Sequence, residues 1–143
     1  MKRVSIKGIA IGIFCDLFLS LILGIGLTIA FVDSSLINQP PERLEAALLK
    51  LSNSNLYLIT CLVLGIMVTV FGGYIAARIA KQAQYINSGL VGLAGIIIGI
   101  FMADGLPLWY SIISFLSIIP AALLGGYFAR VSHSPQLTAF GRG

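Results

Sequence analysis

Residues 8–32 read GIAIGIFCDLFLSLILGIGLTIAFV, an apolar run interrupted by a single ionisable side chain, Asp16. As a helix, a run of roughly 20 apolar residues crosses the hydrocarbon core of a bilayer, so this stretch decides the class of the chain. Its small and polar members are ordered: Gly8, Gly12, Asp16, Ser20, Gly24 and Thr28 recur at every fourth position. On a helix that spacing gathers them on one stripe. Helices in lipid have no hydrophobic drive to associate, and small residues let their backbones approach closely. A carboxyl inside such a segment is costly and faces protein or water rather than acyl chains. The expectation is a helix that packs through one face and hides Asp16 there.

The rest of the chain follows suit. Of 143 residues, 58% are hydrophobic and only 10% are charged, whereas soluble domains carry roughly a quarter charged residues. Three more apolar stretches, at 56–77, 86–103 and 106–129, join 8–32 to give four spans in one transmembrane domain. They leave an outer loop over 33–55 and a cytoplasmic tail over 130–143. Short turns between spans make consecutive helices neighbours, so the expected fold is all-α, an integral membrane four-helix bundle of two antiparallel hairpins.

Charge fixes the orientation. Lys2, Arg3, Lys7, Arg78, Lys81, Arg130 and Arg142 flank one set of helix ends, against Arg43 and Lys50 beside Asp33, Glu42 and Glu45 on the other. By the positive-inside rule both termini are expected in the cytoplasm and the protein in the bacterial cytoplasmic membrane. The net charge of +4 is thus a topology signal, and nucleic acid is not an expected partner. The first segment exceeds the usual 7–15-residue core of a signal peptide and contains Asp16, so it reads as a retained span.

Within the outer loop, Pro40-Pro41 followed by ERLEAALLKL reads as a short helix, with Leu44, Leu48 and Leu51 on one face. Proline suits a first helical turn, and the apolar face suits the membrane surface. Trp109, Tyr110 and Tyr57 are expected at the outer interface, and Tyr74, Tyr85 and Tyr127 at the inner one. Cys15 and Cys61 lie at depths too different for a disulfide and read as packing residues. Pro120 frees the carbonyl of Leu116, which Ser117 is placed to re-satisfy.

Two segments repeat. Span two ends in GGYIAAR at 72–78, and span four ends in GGYFAR at 125–130. With four spans and this GGYxAAR-type inner end, the chain resembles small uncharacterised four-helix membrane proteins of bacteria. The resemblance implies the topology and no particular activity.

Small residues also stripe the other spans, and close packing is expected at Gly12, Ser20, Gly24, Gly65, Gly73, Gly95, Gly99 and Gly125. Asp16 is expected to form an interhelical polar site with Tyr74 and Arg78. No second carboxyl shares the membrane depth of Asp16, and His133 is the only histidine. Phosphate-loop, CxxC and HExxH motifs are absent from the sequence. No catalytic, metal or cofactor site follows, and no cofactor is expected. The leading expectation is a non-enzymatic protein that works by packing, as a homo-oligomer or an accessory subunit of a membrane complex, with lipid and other membrane chains as partners. The alternative is a small oligomeric ion or solute channel or transporter using Asp16, and a holin-like or stress-related protein is a third reading.

Overall fold

Ser5 starts the first helix. Its backbone is extended and its hydroxyl accepts a hydrogen bond from the Gly8 N–H at 3.2 Å, which satisfies one of the donors a helix start leaves open. Helix α1 then runs Ile6–Phe31, so a polar cap rather than the first apolar residue of the stretch sets its beginning. The computed structural model describes residues 4–32, 40–81 and 83–132. Residues 33–39 of the expected loop, Gln82 of the turn and 133–143 of the expected tail lie outside the described residues. So do Lys2, Arg3, His133 and Arg142.

Four more helices follow among the described residues: α2 (Pro41–Ser52), α3 (Asn55–Ala80), α4 (Gln84–Met102) and α5 (Leu108–Ser132). Helices α1, α3, α4 and α5 are each long and apolar enough to cross a membrane. Their ends differ from the expected spans because local chemistry overrides hydropathy. Helix α3 continues past 77 through Arg78, a cation suited to a helix C-terminus, and stops where Lys81 takes a positive φ of 55°. Ala83, at φ 51°, precedes α4. Helix α5 begins at Leu108 rather than 106, since the Pro107 carbonyl accepts the N–H groups of Tyr110 and Ser111. It runs on to Ser132 through Pro120. Ser117 does not re-satisfy the Leu116 carbonyl: its hydroxyl donates one turn back, to the Ile113 carbonyl at 2.7 Å, the usual reach of a helical serine.

Helix α2 carries Pro41 in its first turn and Glu42 beside it, as expected, and touches α3 only lightly. Leu44 and Leu51 are half-buried, and Leu48 is exposed.

Helix α3 is the hub. It packs most extensively on α5, then on α1, while α4 meets α5, α3 and, more briefly, α1. The start of α1 lies against the end of α3, and the start of α4 against the end of α5. These four ends carry Lys7, Arg78, Lys81 and Arg130, and together form the basic end of the molecule. The opposite end, where α2 sits, is the loop end. Large apolar side chains such as Phe14, Phe101, Leu108 and Leu116 point outward and are exposed, an arrangement that suits acyl chains and not water.

Buried residues gather towards the basic end and are nearly all small. Gly12 lies against the Gly72 carbonyl and Ala76; Gly73 lies against the backbone of Ala122. Gly125 lies against the backbone of Val70 and Tyr74 so closely that an added Cβ would overlap it. Gly73 and Gly125 therefore meet across the α3–α5 contact, whereas Gly72 faces α1 and Gly126 faces Ser88 of α4. Ala76, Ala77 and Ala122 are 0% exposed.

Candidate functional site

Above that seam the helices diverge. The stripe that packs on α3 at Gly8 and Gly12 borders α3 at Ser20 and Gly24 only across a hollow. Ser20 is exposed, and no atom lies within 4 Å of where a Cβ on Gly24 would be. Gly65 on α3 is open in the same sense. These three residues, expected in tight seams, instead border hollows. Gly95 is in ordinary contact with Ile118, and Gly99 rests on the Phe115 ring rather than on a backbone. Helices α1 and α3 meet again near the loop end. There the hydroxyls of Thr28 and Tyr57 are 3.2 Å apart, and Phe31 packs edge-on against the Tyr57 ring.

Between these two meeting points lies a cavity of about 210 Å³, walled by all four long helices. Asp16 of α1 stands at its boundary with the seam, its Cβ packed on Gly72. Any side chain at 72 would displace the carboxyl. Thr69 is within hydrogen-bonding reach of the Asp16 side chain, yet Asp16 Oδ1 is buried with no hydrogen-bond partner. On the α5 wall, Ser114 Oγ is also buried without a formed hydrogen bond, with the Tyr110 side chain within hydrogen-bonding reach. Buried polar atoms are nearly always paired, so two without a formed hydrogen bond on the walls of one cavity set this place apart. Ser20, Cys61 and Tyr110 add further polar groups, and Leu17, Leu62, Ile66, Ile98 and Ile118 supply aliphatic wall. Among the described residues no Lys, Arg or His lines it. Hollows of about 230 and 200 Å³ adjoin it toward the loop end, sharing Tyr110 as a common wall.

The expected cluster of Asp16, Tyr74 and Arg78 is not assembled. Arg78 instead hydrogen-bonds the Tyr74 hydroxyl one turn back and stacks its guanidinium 5.6 Å from that ring's centre. The pair lies toward the basic end, with the Gly72 seam between it and Asp16. The arginine is exposed, and a charged side chain near a helix end reaches outward more cheaply than inward. Two other expectations also change. Tyr110, expected as an interface anchor, faces the cavity, and so does Cys61. Both cysteines are free.

Sequence reading missed Asn87. It is 0% exposed, its Oδ1 accepts the Ser5 N–H at 2.8 Å and its Nδ2 donates to the Ala83 carbonyl at 2.9 Å. It thus locks the start of α1 to the start of α4. The available signal was Asn87-Ser88, a polar pair just inside an apolar segment, which composition alone assigns to a helix edge. Among the described residues no group of three or more His, Cys, Asp or Glu gathers as a metal site would.

Compared with family models, with curated proteins and with solved structures, the chain matches none.

Proposed function

We propose that this chain is a multi-pass protein of the bacterial cytoplasmic membrane that binds a small solute in an intramembrane site around Asp16, as a small channel or transporter would. In this reading α1, α3, α4 and α5 form a four-helix bundle of two antiparallel hairpins with both termini cytoplasmic, and α2 lies on the outer surface. The basic residues at one set of helix ends and the apolar exterior support that placement. The observation that carries the function is the Asp16 side chain, half-buried on the wall of a cavity that Thr69, Tyr110 and Ser114 also line. An intramembrane carboxyl is retained at a cost, and function is the usual reason. With no basic side chain on the wall, the site accepts hydrogen bonds and favours a donor.

The test is stabilisation. A solute that binds only the folded state raises its stability by RT ln(1 + [L]/Kd). Purified protein in detergent is heated with a panel of ions, amines, alcohols and amides, beside its Asp16→Asn variant. A solute that raises the transition temperature of the wild type and not of the variant supports the site. A panel with no such member counts against it.

Packing as an end in itself is the second reading: a homo-oligomer, or an accessory subunit of a larger membrane complex. The tightest glycines are consumed within the chain, which leaves this reading the open backbone at Gly24 and Gly26 of α1. Crosslinking in native membranes followed by intact mass measurement separates the two, since packing requires a reproducible partner.

A further inference from the structure

The chemistry of the cavity wall narrows the class of solute. Among the described residues Asp16 is the one charged side chain on that wall, so an ionised carboxyl there is balanced by one positive charge. The wall offers oxygen acceptors on three helices: Asp16 on α1, Thr69 on α3 and Ser114 on α5. A primary ammonium carries three N–H donors and no acceptor, which matches that set. A bare metal ion fits less well, because such ions take six or more oxygens when hard, or three to four His, Cys or carboxylate ligands when softer, and no such group gathers among the described residues. Apart from Ser20, Cys61, Tyr110 and three glycines the remaining wall is aliphatic, and a volume of about 210 Å³ exceeds what one dehydrated ion fills. It leaves room for a short hydrocarbon body against Leu62, Ile66 and Ile118.

The cavity is closed at one end. Toward the basic end the cavity is closed by the glycine and alanine seam, where Gly12, Gly72 and Ala76 touch and Val91 covers them. Toward the loop end the two adjoining hollows continue it past Gly24, Leu27, Met102 and Leu106. Resting on the proposed solute site, we infer that its ligand is a small organic monocation, a protonated primary amine with a short alkyl body. Its ammonium sits on Asp16, within the cavity that Ser114 also lines.

Cys61 lines the cavity and reports occupancy directly. With Cys15→Ser removing the other thiol, the protein in lipid nanodiscs is treated with N-ethylmaleimide, and the rate of Cys61 modification is followed by mass. The probes are n-butylammonium chloride and, as its neutral counterpart, n-butanol. The ammonium is expected to slow modification about tenfold when present at about ten times its dissociation constant, and butanol is expected to leave the rate unchanged. Asp16→Asn should abolish the protection while leaving the unprotected rate intact, and Ser114→Ala should weaken it. Protection by butanol as strong as by the ammonium, or protection that survives Asp16→Asn, overturns the cationic ligand but leaves the solute site standing. Modification that neither probe slows also overturns the amine. A Cys61 that the maleimide does not reach in folded protein overturns the open cavity itself, and with it both readings.

Discussion

The two halves of this molecule are built from the same residue types and do opposite things with them. In the basic half, Gly12, Gly72, Gly73 and Gly125 put backbone against backbone, leaving no space for even a methyl group. In the loop half, Gly24 and Gly65 face open space, and Gly99 meets only the edge of a ring. Small residues in a membrane helix thus either bring two helices together or keep them from filling the space between them. Which occurs depends on what the opposite helix presents at that height. Against Gly12 it presents Gly72 and Ala76. Against Ser20 and Gly24 the hollow is bordered by Cys61, Leu64, Gly65 and Val68.

Substitutions can break that comparison. The largest effect is expected from Gly125→Ala, whose Cβ would collide with the backbone of Val70 and Tyr74. Backbone cannot swing aside as a side chain does, so the loss should reach about 3 kcal/mol, the upper part of the usual range for overpacking. It is measured by titrating detergent-solubilised protein with dodecyl sulfate and following helical circular dichroism. Asn87→Ala comes next, at about 2 kcal/mol by the same assay, because it takes the acceptor from the part-buried Ser5 N–H and empties a fully buried position. Ser5→Ala removes only the cap at Gly8 and should cost about 1 kcal/mol.

The smallest effect sharpens the contrast most. Gly24→Ala and Gly65→Ala should change stability by less than about 0.5 kcal/mol, since nothing within 4 Å meets the new methyl group. If either costs as much as Gly125→Ala, the loop half is packed as tightly as the basic half, and the cavity is not there.

How much of this was legible beforehand follows from the same contrast. The four long helices were readable because length and apolarity set them one segment at a time. The tight contacts at Gly12, Gly73 and Gly125 involve residues the small-residue stripes had named, since close approach needs small side chains whatever the partner. The hollow was not readable. A stripe of every fourth residue looks continuous on paper, yet Ser20 and Gly24 border a hollow against Cys61, Leu64, Gly65 and Val68 of the same α3 that Gly8 and Gly12 touch. The partnership of Asp16 was misjudged for a related reason. Tyr74 and Arg78 share α3 with its true neighbours Thr69 and Gly72, and only the crossing of α1 over α3 selects which turn it meets.

The chain by itself determined that four helices are apolar enough to span a bilayer and where the small residues lie along each. These are properties of single segments, governed by hydropathy and steric size. The tertiary structure alone decided which glycines close a seam, which leave a gap, and that Asp16 and Ser114 line the same cavity. Those outcomes depend on the relative height and rotation of helices far apart in sequence, and no local preference encodes either quantity.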